Sequence, residues 1–369
     1  MKLERLIITC GGTGGHFYPG LSIARKFSGN GGNVLLLLSG VNSVSQAEIA
    51  ASYGIKAVVL PNMPSPLRSP LRFMVGLTGG FFKSLKIIRD FKTQAVLGMG
   101  SFAQMPIILA ALFCRVPRFL HDGNVVIGRA NRKFSRFSRL LGAGFPPVNG
   151  DLCRCKIRHT GMPVRQELLQ YRDITKSEAV AALNANFGTS FSDDLPVILI
   201  FGGSQGAAIF NAGLPAALKK ISGNFQVLHL CGKGKKADAA AAYEGCDFPL
   251  LLLETHGRME WFLGAADLIF CRSGGSTLAE IALFGKAALL VPYPAASEDH
   301  QRFNAEYFCA NQAAEMILNK NFTADAATEV IKSFIASPDE WKKRAENAAK
   351  LARPEAAEEI LKEISADLD

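Results

Sequence analysis

The sequence predicts an α/β protein of two doubly wound parallel-sheet domains, and three observations predict it. Short apolar runs alternate with stretches of helical spacing along most of the chain, which is the pattern of repeated βαβ units. Glycines gather where an apolar run gives way to a helix, at Gly11-Gly12-Thr13-Gly14-Gly15, at Gly202-Gly203-Ser204-Gln205-Gly206 and at Ser273-Gly274-Gly275. The second of these turns follows the strongest apolar run in the chain and so restarts the topology midway, and 369 residues are enough for two domains of ordinary size. We place the domains at residues 1–160 and 161–345, followed by a helical tail at 346–369.

Residues 6–10 form the first strand and residues 19–27 a helix, so Gly11 to His16 is a strand-to-helix turn. It is not a strict dinucleotide fingerprint, because the spacing differs and the next strand, residues 34–39, has no acid at its end. Nor is it a P-loop, since no Lys-Ser/Thr follows. Backbone amides with Thr13 can hold a pyrophosphate, which leaves His16 either to exchange a proton or to cap its own loop. Further strands fall at residues 57–60, 95–98 and 118–121, with Ser101, Asp122 and Asn124 just beyond them. Ligands gather at the carboxyl ends of parallel strands, and these residues all lie at such ends.

Between those strands, residues 66–86 carry Arg68, Arg72, Lys83 and Lys86 among bulky apolar side chains. A second basic run, residues 129–139, sets Arg132, Lys133, Arg136 and Arg139 beside Phe134 and Phe137. Basic residues with exposed aromatics suit an anionic membrane surface or a nucleic acid. The alternative is an amphipathic helix whose Phe73, Leu77 and Phe81 face the core while its charges meet water.

The second half opens at a Gly161-Met162-Pro163 bend and continues with strands at residues 195–201, 226–230 and 250–253. Residues 268–271 then feed the third glycine turn and a helix from Thr277. A helix N-terminus approached through glycines presents backbone N–H groups and a positive dipole end, which suits a phosphate. Glu280 sits about one turn into that helix, where a carboxylate can accept both hydrogen bonds of a ribose diol; the plainer alternative is an ordinary surface acid. Residues 287–292 lead to Glu298-Asp299-His300-Gln301 and a helix containing Asn304. Gln301 can offer its amide to sugar hydroxyls, while His300 and Asp299 can equally serve as caps.

Composition narrows the class. Hydrophobic residues make up 49% and charged ones 20%, as in a globular protein with a sizeable core, and the formal charge of +9 implies an anionic partner. No apolar run approaches the ~20 residues needed to span a bilayer, and the N-terminus has no signal-peptide layout. Eight cysteines without a C-x-x-C pair read as structural thiols of a cytosolic protein.

Six motifs in order resemble the MurG family of GT-B glycosyltransferases, which add N-acetylglucosamine to the lipid-linked muramyl-pentapeptide of peptidoglycan. They are Gly11 to His16, the Asn124 segment, Gly161 to Arg165, Gly202 to Ala207, Cys271 to Gly274 with Glu280, and Asp299 to Gln301 with Asn304. The resemblance implies two Rossmann-like domains facing across a cleft and an inverting transfer from UDP-N-acetylglucosamine to lipid I. It implies substrate contacts from Thr13, Gly14, Gly15 and Asn124 in the first domain. In the second it implies contacts from Arg165, Ser204, Gln205, Gly275, Ser276, Thr277, Leu278, Ala279, Glu280 and Gln301. The expected partners are the UDP-N-acetylglucosamine donor, the undecaprenyl-pyrophosphoryl muramyl-peptide acceptor and the anionic cytoplasmic face of the cell membrane, with no nucleic acid.

Two family patterns are not met. His-Glu-Gln-Asn becomes His121-Asp122-Gly123-Asn124, and Gly-Gly-Tyr-x-Ser-x-Pro becomes Gly100-Ser101-Phe102-Ala103-Gln104-Met105-Pro106 after Gly98-Met99. Donor motifs are kept and acceptor motifs have drifted. The only Asp-x-Asp triplet is Asp367-Leu368-Asp369 in the tail, so we expect no metal and no cofactor, with helix starts and Arg165 countering the charge of departing UDP. The base is His16 or Asp122, with His16 favoured for its longer reach. Rival expectations are a GT-B enzyme with another lipid acceptor such as diacylglycerol, a UDP-N-acetylglucosamine epimerase, and a non-catalytic nucleotide-sugar module.

Overall fold

The computed structural model describes residues 2–12, 14–61, 69–203 and 206–369. The chain divides into two units, one running to residue 165 and regaining residues 353–369, the other spanning residues 166–352.

The first unit begins with β1 (Arg5–Cys10), α1 (Gly14–Gly29), β2 (Asn33–Leu38), α2 (Ser43–Ser52) and β3 (Ala57–Val59). It continues through α3 (Pro70–Asp90), β4 (Ala95–Gly98), α4 (Met105–Phe113) and β5 (Arg118–Asp122), and then α5 (Arg129–Ser135), β6 (Leu140–Ala143) and β7 (Lys156–His159). Its seven strands lie in the order β3-β2-β1-β4-β5-β6-β7, with every neighbouring pair parallel. Strands β1, β2 and β4 are buried along almost their whole length, the mark of a parallel sheet covered on both faces.

The second unit runs α6 (Gln166–Gln170), α7 (Lys176–Phe187), β8 (Val197–Phe201), α8 (Ala208–Leu218), β9 (Gln226–Leu230), α9 (Lys236–Ala242) and β10 (Leu250–Leu253). After these come α10 (Met259–Ala265), β11 (Leu268–Cys271), α11 (Gly275–Leu283), β12 (Ala287–Leu290), α12 (His300–Ala310) and β13 (Glu315–Met316). Helices α13 (Ala324–Ala336) and α14 (Pro338–Lys350) close the unit, and α15 (Ala356–Leu368) ends the chain. The sheet order is β10-β9-β8-β11-β12-β13, again all parallel.

Both sheets reverse their direction of growth once, between β1 and β4 in the first and between β8 and β11 in the second. Ligands of doubly wound sheets bind beyond the carboxyl ends of the strands at that reversal. All three glycine turns follow strands that flank it.

The stretch expected as one tail is divided. Helix α14 packs on α11 and β12, burying Trp341. Helix α15 packs on α1, with Ile360, Leu361 and Ile364 in the same core as Leu21 and Ile23. Ion pairs from Lys26 to Glu358 (2.7 Å) and from Arg139 to Asp367 (2.9 Å) fasten its flank. The crossover through residue 165 stays with the first unit as well. Gly161 has φ +88°, and a β-carbon there would stand 2.4 Å from Cβ of Arg353, so only glycine fits. Sequence patterning did not reveal β6, β13 or the start of β7, which are too short or too polar to show a period.

Candidate functional site

In the first unit, His16 lies in the opening turn of α1, just past the glycine turn after β1. Its imidazole edge rests on the loop after β4. A β-carbon on Gly100 would come within 3.2 Å of its Nε2, and Gly100 has φ +99°, so the position needs glycine twice over. The half-exposed ring thus sits at the switch point, on a surface made of backbone.

Asp122, at the end of β5, is 6% exposed. Its Oδ1 accepts the backbone N–H of Asn124 (3.2 Å), and its Oδ2 accepts the N–H of Gly128 (2.8 Å) and the Nδ2 of Asn131 (3.0 Å). Gly128 caps α5, so the carboxylate meets the positive end of that helix. Both of its oxygens are engaged in holding its own loop. Asn124 lies within that loop, its backbone fixed by Asp122.

Neighbouring His121 is buried, and its Nε2 donates to the carbonyl of Gly161 (3.0 Å); burial holds its pKa below the ordinary histidine value. A buried pair invisible to spacing arguments completes the cluster. Gln104 accepts the N–H of Gly100 (3.1 Å) and donates to Oδ1 of Asn131 (2.9 Å), while Asn131 Nδ2 also donates to the carbonyl of His121 (2.8 Å). The expected contact residues Gly14 and Gly15 open α1 and are exposed, whereas Thr13 lies outside the described residues. Arg165 belongs to the first unit, its guanidinium 5.5 Å from the ring centre of Tyr18.

In the second unit, Gly274 is the N-cap of α11 with extended backbone (φ −68°, ψ 144°), and Gly275, Ser276 and Thr277 form the first turn. Leu278 is buried beneath, and Ala279 and Glu280 follow, both half-buried. No side chain caps this helix, and the Ser276 hydroxyl is a buried atom without a hydrogen-bond partner among the described residues. Helix α8 likewise starts from a residue with no polar side chain, Ala207, while Ser204 and Gln205 lie outside the described residues. Two helix starts at one switch point therefore keep N–H donors that no cap among the described residues has taken up.

The turn between β11 and α11 is braced from α12. Ser273, fully buried, donates to the carbonyl of Gln301 (2.7 Å), and Asn304 donates to the carbonyl of Ser273 (3.0 Å). Gln301 turns its Oε1 to the N–H of Tyr293 (3.0 Å), which leaves its amide N–H₂ as the end able to meet a ligand. Preceding it, Glu298 and Asp299 both have positive φ (52° and 55°), a strained pair of the kind that marks functional turns.

The end of β9 is anchored to α8 by residues that the sequence did not single out. Asn211 in α8 donates to the carbonyl of Cys231 (3.0 Å) and accepts from Nε2 of His229 (3.1 Å), whose Nδ1 accepts from Tyr243 (2.9 Å). Burial takes the pKa of His229 down to about 4, so the imidazole stays neutral. The cysteines are free thiols, and burial pushes that of Cys10 up to about 12.

Comparison with known proteins agrees with this division into halves. Residues 6–140 match the glycosyltransferase family 28 N-terminal domain, and residues 197–360 match its C-terminal domain. A UDP-N-acetylglucosamine–N-acetylmuramyl-(pentapeptide) pyrophosphoryl-undecaprenol N-acetylglucosamine transferase of Citrifermentans bemidjiense is 31% identical, covering 97% of this chain and 98% of the relative. The protein of the same name from Desulfitobacterium hafniense is also 31% identical over 97% and 98%. The crystal structure of Acinetobacter baumannii MurG superposes with a TM-score of 0.78 at 24% identity, covering 99% of each chain. A UDP-GlcNAc 2-epimerase of Neisseria meningitidis shares the fold at TM-score 0.69 and 16% identity, over 98% and 99%. With both halves matched in order and a relative 31% identical along nearly its whole length, the chain belongs to glycosyltransferase family 28, the enzymes of the two-domain GT-B fold.

Proposed function

We propose that this protein is an inverting N-acetylglucosaminyltransferase that moves the sugar from UDP-N-acetylglucosamine to the lipid-linked muramyl-pentapeptide, converting lipid I to lipid II. The full-length likeness to transferases named for that reaction supports the substrates. One structural observation carries the donor half: among the described residues, α11 begins uncapped at the switch point and the Ser276 hydroxyl in its first turn has no hydrogen-bond partner. An anionic diphosphate meets the needs of both. Glu280, farther along the same helix, takes the ribose hydroxyls, and the N–H₂ of Gln301 reaches a sugar hydroxyl. Gly275, Thr277, Leu278 and Ala279 line the site through their backbone, joined by Ser204 and Gln205.

In the reaction, an acceptor sugar hydroxyl attacks the anomeric carbon, the bond from that carbon to the diphosphate oxygen breaks, and UDP departs. His16 takes the hydroxyl's proton. Asp122 is the poorer base because both of its oxygens already accept hydrogen bonds within its loop; it sets the position of Asn124 instead. The negative charge gained by UDP is met by the helix-start N–H groups, helped by Arg165. Gly14, Gly15, Thr13 and Asn124 close the substrate contacts on the first unit.

The acceptor carries a long lipid, and the first unit offers a surface for the membrane that holds it. Helix α3 buries Gly76, Gly80, Ser84, Leu85 and Ile88, and it turns Leu71, Met74, Val75 and Phe82 outward with Arg72, Lys83 and Lys86. Phe113 of α4 extends the apolar patch. Such a face suits peripheral attachment to the anionic cytoplasmic leaflet. Residues 66–68 of the surface expected from sequence lie outside the described residues. The second basic run contributes less, because Arg132 donates to the carbonyl of Ile127 and Arg139 is paired with Asp367. No helix among the described residues is long and apolar enough to cross a membrane.

Transfer of labelled N-acetylglucosamine to a lipid I analogue, run beside diacylglycerol and water as acceptors, tests the reaction. Turnover with the lipid I analogue alone is the expected result, and exclusive use of diacylglycerol would replace the acceptor. Binding to vesicles of anionic lipid, lost on Phe82→Glu, tests the surface.

A further inference from the structure

We propose that Gln104 is a positioning residue for His16, acting through the loop on which the imidazole rests. The inference builds on the assignment of His16 as the proton acceptor.

Gln104 is 1% exposed and spends both ends of its amide. Its oxygen accepts from Gly100, the glycine under the His16 ring, and its nitrogen donates to Asn131. Asn131, also 1% exposed, passes the link on to Asp122, and Asp122 fixes the backbone of Asn124 and Gly128. One chain of hydrogen bonds thus ties together the carboxyl ends of β4 and β5 and the start of α5, all beside the switch point. The loop it holds is strained. Ser101 follows Gly100 with φ 70° and ψ 153°, a region that is essentially glycine's, and its hydroxyl accepts the backbone N–H of Ala103 (3.3 Å). A strained residue persists where its surroundings over-determine it, and the Gln104 amide is the group that pins its neighbour. Packing leaves little freedom elsewhere: a β-carbon on Gly98 would lie 2.2 Å from the Gln104 Oε1, so the amide is seated against the strand end. Nothing about a lone glutamine in a Phe-Ala-Gln-Met stretch marks it as functional, and the family pattern has no glutamine at this place.

Two variants separate positioning from mere structure. Gln104→Ser removes both links, while Gln104→Glu keeps the volume and the acceptor for Gly100 but turns an oxygen toward Asn131 Oδ1. We expect each to lower kcat by about tenfold to a hundredfold, the scale of a small misplacement of a catalytic group, with the KM for UDP-N-acetylglucosamine and the affinity for UDP unchanged. We also expect the double variant Gln104→Ser/Asn131→Ser to be no slower than the worse single one, as for members of one network. A readout independent of turnover is the rate at which diethyl pyrocarbonate modifies His16, followed by peptide mass spectrometry, which should rise in Gln104→Ser. Native kcat in both variants overturns the inference, as does a loss confined to donor KM or an unchanged His16 reactivity. If the unaltered protein transfers no sugar, the assigned reaction fails, and His16 reactivity alone then decides whether the strap holds the ring.

Discussion

The two units share a strand order and a glycine turn at its reversal point, yet they dispose of their polar groups in opposite ways. In the first, side chains use each other up: Gln104 on Gly100 and Asn131, Asn131 on Asp122, Asp122 on the cap of α5. In the second, α8 and α11 start from Ala207 and Gly274, which have nothing to cap with, and the Ser276 hydroxyl has no hydrogen-bond partner among the described residues. A carboxylate at a helix start satisfies the N–H groups and the dipole from within; its absence leaves both to an anionic ligand. On the function proposed above, the first unit holds a reactive side chain still and the second receives charge.

The largest expected effect breaks the first half of that contrast. His16→Ala should lower kcat by about a hundredfold to ten-thousandfold, the usual worth of a general base, with UDP affinity by calorimetry left at the native value. A comparable loss from Asp122→Asn, with His16→Ala fully active, would reverse the roles we assign.

Next is a pH dependence to which a buried histidine of the second unit contributes. His229 is held neutral by burial, with its pKa lowered from 6.5 to about 4. The unfolded chain therefore binds a proton that the folded one refuses between those values. The stabilisation is complete above the unfolded pKa and drains away as pH falls through the folded one, amounting to about 3 kcal/mol across the window. Urea unfolding followed at pH 7 and pH 4.5 should show the decline, and His229→Gln should make it shallower. A level profile in the unaltered protein would mean that the imidazole is charged in place.

The second half of the contrast is tested by adding the cap that α11 lacks. A β-carbon on Gly274 meets nothing nearer than 3.9 Å, and its φ is ordinary, so an aspartate fits without strain. Gly274→Asp should leave folding stability within a few tenths of a kcal/mol of native or slightly raise it. The same carboxylate competes with a diphosphate for the helix start, so donor KM should rise about tenfold. Unchanged donor KM would show that the diphosphate lies elsewhere.

These two organisations were unequally legible in the sequence. The parallel two-domain architecture follows from the alternation of apolar runs and helical spacing, and a helix start reached through glycines shows in their spacing, so Ser273 to Glu280 could be picked out as a candidate. A site made of mutually satisfied side chains leaves no spacing signal. Gln104 and Asn131 lie 27 residues apart and meet only because β4 and β5 are neighbours in the sheet. His229 and Asn211 read as unremarkable members of a strand and a helix for the same reason. Where the chain departs from the family pattern, the structure gives physical content to one departure. A side chain at Gly123, where the family has glutamine, would have its β-carbon 2.5 Å from the sulfur of Met162. The missing amide and the methionine are thus coupled, and restoring one requires moving the other.

The smallest effect concerns the strain at Ser101. The family pattern has glycine at this place, and the serine holds φ 70° and ψ 153° here. Residues in that region cost on the order of 1–3 kcal/mol, which Ser101→Gly would recover. Against this stand the bond from Ala103, about 0.5–1.5 kcal/mol, and the greater freedom of glycine in the unfolded chain, about 0.4–1 kcal/mol. The mid-range values of these terms leave a gain of about 0.3 kcal/mol, read as a small upward shift in the urea midpoint at constant slope. If Gln104 is what pins the loop, that gain should shrink in the Gln104→Ser background, where the loop can relax out of the strained conformation. An equal gain in both backgrounds would mean that the loop is held by its strand ends and not by the Gln104 amide.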